Sequence, residues 1–289
     1  MVSIVADSTC DLSRELLEKY KVKIIPLHIL LGEKEYEDGV DLMPEEIYTW
    51  ADDHKTTPKT SAPSVETVMQ TFQPLLEKGD DIVCFSISES MSTTANVMRL
   101  AARQMEAEDR VNVVDSANLS TGIGLLVLEA AKMAAQGKTA EEIVAEIERL
   151  KPLVRASFVV DTLTYLHRGG RCNGLEAMAG SMLKLHPKIV VSEGKMSSSK
   201  KYRGKIDKVI MAYVKDMEEQ LLQAKKERVF ITHSGCPEET VLEVKDYLQS
   251  LSHFEEILIT RAGGVISSHC GPGTLGVLFI SGENVLKKK

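Results

Sequence analysis

The chain has 289 residues and a formal net charge of −7, and 43% of its residues are hydrophobic against 27% charged. These values are typical of a globular protein with one large or two ordinary domains. The acidic balance argues against broad nucleic-acid binding, which needs a basic surface. No apolar run approaches the ~20 residues that cross a bilayer. The five cysteines form no CxxC pair, and residues 1–7 indicate a strand rather than a signal peptide. We therefore expect reduced thiols, no metal and a bacterial-type cytoplasmic location.

Buried β-rich runs alternate with helical patterns through the first half of the chain. The predicted strands cover residues 3–6, 22–30 with a bend at Pro26, 82–86 and 111–115. The predicted helices begin near Asp11 and cover 91–105, 119–135 and 139–150. The last of these opens on a capping box, with Thr139 followed three residues later by Glu142. Strands separated by helices predict a parallel, doubly wound sheet in an α/β domain.

A second α/β domain is predicted to begin where Lys151-Pro152 ends the preceding helix. Its predicted strands cover 156–160, 188–192, 195–199, 228–233, 257–261 and 275–281, and its helices 175–185 and 206–224. The Glu193-Gly194 pair predicts a hairpin turn. The predicted fold class is therefore α/β with two domains. Residues 1–155 hold the parallel sheet, and residues 156–289 hold a mixed sheet.

Short hydroxyl-rich segments follow several of the predicted strands, where an α/β sheet places its ligand-contacting loops. They are Asp7-Ser8-Thr9, Thr60-Ser61-Ala62-Pro63-Ser64, Ser92-Thr93-Thr94 and Asp115-Ser116. Each is also explained as a helix cap, by Ser8 or Thr9 in the first segment and by Ser64 in the second. Together they offer neutral hydroxyls and backbone amides. Such groups favour holding an anionic head group over cutting a bond.

Glycines, arginines and a histidine supply the remaining candidate residues. Gly169-Gly170 lies between Arg168 and Arg171, which suits close backbone approach and an anion. His269 precedes Gly271-Pro272-Gly273, which predicts a tight turn. It is either a structural histidine or a neutral or charged imidazole that donates to a bound acid. Arg203 lies in the basic run 200–205, which is either a solvated face or a docking patch. Met178 and Met182 share a predicted helix face, where they suit core packing or a long apolar ligand.

The main alternative function is phosphoryl transfer to a small anionic substrate, with Arg168, Arg171 and Arg203 as phosphate clamps. Against it, the sequence has no P-loop and no clear acidic metal-binding cluster. A serine hydrolase is disfavoured because no Gly-x-Ser-x-Gly elbow is present. A DNA-binding regulator is disfavoured by the acidic charge.

Taken together and in order, the motifs resemble those of the DegV family over the whole chain. Further motifs that carry the resemblance are 88–95 (SESMSTTA), 163–171 (LTYLHRGGR), Tyr202-Arg203 and 269–276 (HCGPGTLG). No single motif is decisive, but the ordered set is highly specific. The family's usual Leu-Ser-Gly-Thr-Tyr stands here as Met91-Ser92-Thr93-Thr94-Ala95, and its usual Lys-Pro as His186-Pro187.

The resemblance implies a protein that binds a long-chain fatty acid, such as palmitate, in a cleft between its two domains. It implies that Thr60 and Ser92 hold the carboxylate, with His269 close by. The other expected binding residues are Ser61, Thr93, Gly170 and Arg171. Arg171 and Arg203 would lie near the mouth, where a separate fatty acid kinase makes the acyl-phosphate. The chain itself is then expected to be no enzyme and to need no cofactor. Its expected partners are the lipid, the kinase and a transiently contacted membrane, but no nucleic acid.

Overall fold

The computed structural model describes residues 1–171 and 185–282. By residue contacts the chain divides into two units. The first unit holds Met1–Leu42, Lys59–Pro152 and Glu193–Lys195, and the second holds Met43–Pro58, Leu153–Ser192 and Met196–Lys289. The boundary predicted after residue 155 stays a prediction, since these units reflect contacts rather than independent folding.

The elements of the first half of the chain follow one another as strands and helices. The strands are β1 (Val2–Asp7), β2 (Lys23–Ile25), β3 (His28–Leu31), β4 (Lys34–Glu37), β5 (Lys59–Ser61), β6 (Asp81–Ser86) and β7 (Val111–Asp115). The helices are α1 (Arg14–Tyr20), α2 (Pro44–His54), α3 (Val65–Glu77), α4 (Thr94–Gln104), α5 (Thr121–Ala135) and α6 (Ala140–Leu150). Helix α2 is grouped with the second unit, and the others with the first.

The central sheet of the first unit is parallel, with strand order β2-β1-β6-β7. Its core packs Val5 and Cys84, which are in register on neighbouring strands, with Phe72 of α3 and Met98 of α4. Continuous apolar runs such as that of β6 are what a strand buried on both faces requires. The predicted parallel α/β sheet is therefore confirmed.

The predicted strand 22–30 divides at Pro26, and its two parts join different sheets. Strand β2 pairs in parallel with β1, whereas β3 pairs antiparallel with both β4 and β5 in a small separate sheet. Proline has no backbone N–H, so it cannot donate a hydrogen bond to a neighbouring strand. The chain therefore changes sheet at a residue where one inter-strand hydrogen bond cannot form.

The second unit is built from elements later in the chain, together with α2. The strands are β8 (Val154–Val159), β9 (Leu185–Ser192), β10 (Lys195–Arg203), β11 (Ala224–Ser234), β12 (Glu256–Arg261) and β13 (Thr274–Ser281). The helices are α7 (Thr164–Arg168), α8 (Ile206–Lys215), α9 (Glu218–Leu222), α10 (Glu238–Ser250) and α11 (Gly264–Cys270).

The sheet of the second unit is mixed, as predicted, with strand order β10-β9-β8-β13-β11-β12. Strand β13 runs antiparallel to β8 and to β11, while β11 and β12 are parallel. Tyr213 of α8 lies in its core, fully buried, and its hydroxyl donates to the Ser157 carbonyl oxygen at 2.7 Å. A buried tyrosine needs such a partner for its hydroxyl.

The single long helix predicted over 206–224 is wrong, because the structure has two helices there and Ala224 already begins β11. The helical ladder tightens at Met217, whose N–H donates to the Val214 carbonyl oxygen only three residues back. The turn lets both Met217 and Leu221 enter the core. The apolar spacing continues in phase across this turn, so periodicity alone does not reveal it.

The other predicted helices are recovered with shifted starts, at Thr94 and Thr121. The predicted caps at Ser64 and Thr139 are confirmed, since each hydroxyl accepts an N–H from the residue three positions on. The helix predicted over 175–185 lies outside the described residues, except for Leu185, which begins β9.

Candidate functional site

The carboxyl ends of three neighbouring parallel strands carry aligned polar residues: Asp7, Ser86 and Asp115. Asp7 is fully buried, and it accepts hydrogen bonds from the Ile87 N–H at 2.7 Å and from the N–H and hydroxyl of Thr9. Burial raises the pKa of Asp7 to about 6, although these donors oppose the rise. Asp7 thus ties the loop after β1 to the loop after β6.

The capping predictions for the loops after β1 and β7 are wrong. Asp7, rather than Ser8 or Thr9, caps the short turn at Ser8–Cys10, and Ser13 caps α1. Asp115 accepts from the N–H groups of Glu89 and Ala117, so it stabilises loops instead of a helix start. An aspartate directly before Ser-Thr is the signal that could have identified the first cap, because its short carboxylate reaches the N–H two residues on.

Ser92 stands two residues before helix α4, on the loop that follows β6. Its hydroxyl lies 2.8 Å from the Thr94 hydroxyl and accepts the Thr94 N–H at 3.3 Å. The Ser92 N–H donates to the Ser88 carbonyl oxygen at 3.1 Å, which fixes the loop path. Ser92 is partly exposed and Thr93 is exposed. The loop therefore offers two hydroxyls beside the amide-rich start of a helix.

Thr60 and Ser61 lie on β5, at the edge of the small sheet of the first unit. Thr60 is in register with Ile29, so the two side chains share one face of the sheet. Ile29 is fully buried and Ser61 is exposed. Strand alternation thus directs Thr60 towards the interior of its unit and Ser61 away from it.

The structure brings two of the sequence motifs together in the second unit. A Cβ atom on Gly169 would lie 2.3 Å from Nδ1 of His269, so the backbone after α7 passes directly against the imidazole. Only glycine permits this approach. The Arg171 guanidinium donates to the Gly169 carbonyl oxygen at 2.8 Å, which places its charge beside the same ring.

His269 lies in the last turn of helix α11, so the predicted placement in a tight turn is wrong; the turn follows at Gly271. A helix of seven residues is too short to give a clear periodic signal. Burial first, and the Arg171 charge second, lower the pKa of His269 to about 4. The imidazole is therefore neutral near pH 7, and of the two predicted forms only the neutral one is present there.

Gly271 makes a second close contact between the same two motifs. Its φ is +71° with ψ at 174°, a conformation that essentially only glycine adopts. A Cβ atom there would lie 2.5 Å from Cδ2 of Tyr165, a residue of α7. Tyr165 has no assigned role in the sequence prediction, but its ring holds the histidine-bearing segment against α7.

Arg203 is exposed at the end of β10, an edge strand of the mixed sheet. Its neighbour Tyr202 points inward, and the hydroxyl of Tyr202 donates to the Asp216 carboxylate at 2.7 Å. Burial and this carboxylate raise the pKa of Tyr202. Lys200 also pairs with Asp216. Among the described residues no ion pair engages Arg203, so its guanidinium is available to solvent or a ligand.

The predicted site residues thus fall into two groups. Thr60, Ser61, Ser92 and Thr93 belong to the first unit, and a second group belongs to the second unit: Gly170, Arg171, Arg203 and His269. Within residues 1–171 and 185–282, no three His, Cys, Asp or Glu side chains form a group that could hold a metal ion. Nor is any helix in those ranges long and apolar enough to cross a membrane.

We expect the neutral His269 to make the protein less stable in acid. Its pKa in the folded state is about 4, below the ordinary value of about 6.5, so the unfolded chain binds the proton first as the pH falls. Stability is then lost between about pH 6.5 and 4. The free energy of unfolding is measured with urea at pH 7 and at pH 5. Its decrease from pH 7 to pH 5 should be about 2 kcal/mol smaller in His269→Gln than in the wild type.

The exposed His54 provides the matched control, because His54→Gln removes an imidazole without changing a buried group. Asp7 acts in the opposite direction: its raised folded-state pKa makes stability increase as the pH falls through about 6. The pH dependence of the free energy of unfolding must therefore be compared between the variants, because the wild-type pH dependence combines both groups. Equal pH dependence in His269→Gln and the wild type would contradict a neutral, buried His269.

Comparison with known proteins agrees with this α/β architecture. Residues 1–282 match the model of the DegV family, whose members are described as uncharacterised. A DegV domain-containing protein of Deinococcus radiodurans is 33% identical over 276 residues, covering 96% of this chain and 97% of that protein.

Solved structures give the same relationship in three dimensions. A DegV family protein from Thermus thermophilus, described as binding fatty acid, has a TM-score of 0.87 and 32% identity, with 97% of this chain and 99% of that one covered. A stearic acid-binding protein from Eubacterium ventriosum has a TM-score of 0.85 and 30% identity, with 99% and 100% covered. The class is therefore an α/β protein with a parallel sheet and a separate mixed sheet. The chain belongs to the DegV family.

Proposed function

We propose that the protein binds a long-chain fatty acid, such as palmitate, and presents it to a separate kinase for acyl-phosphate formation. The observation that carries the binding proposal is the full-length similarity to solved structures described as fatty-acid-binding proteins. At 30–32% identity and TM-scores of 0.85–0.87, the similarity covers 97–99% of this chain.

The head-group chemistry proposed for this chain uses neutral donors. Thr60 and Ser92 hold the carboxylate, with His269 nearby as an uncharged imidazole. Ser61, Thr93, Gly170 and Arg171 complete the proposed binding set. A buried carboxylate needs its hydrogen bonds satisfied, and hydroxyls, amides and a neutral N–H supply them without a second buried charge.

The affinity in this proposal comes from the acyl chain. Each buried CH₂ contributes about 0.8 kcal/mol, so a palmitoyl chain contributes roughly 11 kcal/mol before the cost of association. The head group then needs only to have its hydrogen bonds satisfied, because an unpaired buried carboxylate would cost binding free energy. Met178 and Met182, proposed to contact the tail, lie outside the described residues.

Presentation to a kinase is the second part of the proposal. The chain then acts as a lipid-binding protein rather than an enzyme, needs no cofactor and contacts a membrane only to exchange lipid. Arg171 and Arg203 serve the transfer step, since a guanidinium suits a phosphate-bearing partner. The exposure of Arg203 on an edge strand supports this role.

The purified protein is expected to carry a fatty acid. Denaturing extraction followed by mass spectrometry should release about one long-chain acid per chain, because the proposed gross burial energy makes release slow. Uptake of labelled palmitate by delipidated protein is the companion measurement. No extracted acid and no uptake would contradict the binding proposal, and nucleotide turnover by the chain alone would favour the phosphoryl-transfer alternative.

Arg203→Ala should separate binding from transfer. A buried acyl chain draws its affinity from apolar area, so palmitate binding should change less than about twofold. Acyl-phosphate formation with the cognate kinase and ATP should fall about tenfold or more, because a cation near developing charge is lost.

Arg14→Ala removes another exposed arginine, on α1 of the first unit, and is the control for net charge. Both measurements should stay near wild-type values in this variant. Weakened palmitate binding with a normal transfer rate per bound acid would assign Arg203 to lipid binding instead.

A further inference from the structure

His186 lies at the start of β9, nine-tenths buried, with both ring nitrogens facing backbone carbonyl oxygens. Nδ1 is 3.1 Å from the Asp161 carbonyl oxygen, and Nε2 is 3.0 Å from that of Gly204. The Asp161 carboxylate adds a third acceptor, 3.4 Å from Nδ1. Within residues 1–171 and 185–282, the polar partners of this ring are all acceptors.

This arrangement discriminates between the two protonation states of a histidine. A neutral imidazole has one N–H and one bare nitrogen, so it can donate to only one of the two carbonyl oxygens. Its bare nitrogen would then face an oxygen lone pair. The imidazolium has two N–H groups and donates to both. The buried geometry of His186 is complete only in the charged form.

Two other histidines of the second unit, His253 and His54, each face one backbone carbonyl oxygen among the described residues. His253 places Nε2 2.9 Å from the Ala224 carbonyl oxygen, and His54 places Nδ1 2.8 Å from that of Trp50. Each makes one such bond, which a neutral imidazole satisfies. They serve as internal references for His186.

The two carbonyl oxygens belong to segments that carry candidate site residues. Asp161 precedes α7 and the Gly169-Gly170-Arg171 segment. Gly204 directly follows Arg203, and its φ of +139° is a conformation that favours glycine. His186 therefore links the backbone leading towards Arg171 with the backbone beside Arg203.

We propose that His186 is a pH-sensitive clamp. Its imidazolium joins the connection that contains Asp161 to the connection that contains Gly204. Loss of one proton breaks one of these two hydrogen bonds. Lower pH favours the imidazolium form of a histidine, so the clamp tightens as the pH falls. His186 is a positioning residue in this role. If the proposed function holds, the placement of Arg203 becomes dependent on pH.

Charged and titratable groups around the ring come from each adjoining segment. The Asp161 carboxylate, on the β8–α7 connection, lies 3.4 Å from Nδ1. Arg203 and Lys205 flank Gly204 in the chain. The half-buried thiol of Cys236 lies beyond Asp161, and burial raises its pKa to about 12, so it stays uncharged over this range.

Two variants isolate the charge of the clamp. His186→Lys keeps a cation with three donors at all pH values of interest, and His186→Gln keeps a polar side chain without charge. Hydrogen exchange by mass spectrometry is followed for residues 160–168 and 203–210 between pH 5.5 and pH 8, corrected for intrinsic exchange rates. Residues 228–234 of the sheet interior report on global opening.

We expect the wild type to protect these two segments about tenfold more at pH 5.5 than at pH 8, the change associated with a charge-assisted hydrogen bond. His186→Lys should protect them equally at both pH values, and His186→Gln should leave both weakly protected. Wild-type and His186→Lys proteins with the same pH dependence would overturn the proposal. Fatty acid is not needed for this measurement, so its outcome is independent of the binding proposal.

Nuclear magnetic resonance of selectively ¹⁵N-labelled histidine keeps the proposal testable if His186→Lys fails to fold. At pH 5.5 the His186 ring should show two N–H groups that are both protected from solvent exchange, whereas His253 should show at most one protected N–H. A His186 ring with a bare nitrogen, or with an unprotected N–H, at this pH would overturn the proposal.

Discussion

The Thr60→Val, Ser92→Ala double variant is expected to bind palmitate at least about thirtyfold more weakly than the wild type. In the proposed site, each lost hydroxyl leaves a buried carboxylate oxygen without a donor, which costs about 1–3 kcal/mol. Thr60→Val keeps the shape of the side chain, so the effect reports on the hydroxyl. Fluorescent fatty-acid displacement on delipidated protein gives the affinities, and urea unfolding shows whether the fold is retained.

Two exposed hydroxyls provide matched controls. Thr49→Val and Ser250→Ala each remove a hydroxyl that bonds a nearby helical carbonyl oxygen, and palmitate affinity should stay within about twofold of wild type. Ser92 also bonds Thr94 at the start of α4. A double variant that loses stability but keeps its affinity would assign Ser92 to helix capping and place the head group elsewhere.

Gly271→Ala is expected to destabilise the second unit by about 3 kcal/mol or more. The backbone conformation at Gly271 disfavours any Cβ, at a cost of about 1–3 kcal/mol. The new methyl would also overlap the Tyr165 ring, which cannot move without displacing α7. Urea unfolding monitored by circular dichroism measures the loss.

Gly137→Ala separates backbone strain from overlap. Gly137 has a similar φ of +79°, but no atom lies within 4 Å of its would-be Cβ. It should lose only about 1 kcal/mol. Adding Tyr165→Leu to Gly271→Ala should recover part of the stability, because a smaller, flexible side chain can yield to the methyl. Equal losses at Gly271 and Gly137 would contradict the close packing of Tyr165 on Gly271.

Elements governed by local patterns are predicted well from the sequence. The strand predicted over 111–115 has the bounds of β7, and 82–86 differs from β6 by one residue. Continuous apolar runs identify strands that are buried on both faces. The caps at Ser64 and Thr139 depend on neighbours three residues away. The Glu193-Gly194 turn is confirmed between β9 and β10 for the same reason.

The sequence-based prediction misses elements that are stabilised by residues distant in the chain. Strands β4 and β5 are short and polar, so their sequence alone does not distinguish them from loops; pairing with β3 makes them strands. Helix α2 has no predicted counterpart. It is grouped with the second unit, where Tyr48 lies 2.6 Å from the Ser234 hydroxyl and Glu45 pairs with Arg261. Ser234 is 186 residues from Tyr48 in the chain, and Arg261 is 216 residues from Glu45.

The α/β class, the family and the supply of hydroxyls, glycines and arginines follow from the amino-acid sequence alone, because residue types and short spacings carry that information. The charge state and the packing of those residues depend on tertiary contacts. His269 is neutral because Gly169 and Arg171, about a hundred positions earlier in the sequence, pack against its ring. His186 has two carbonyl acceptors because two separate connections meet at β9. Burial and electrostatic interactions arise between residues that only folding brings together.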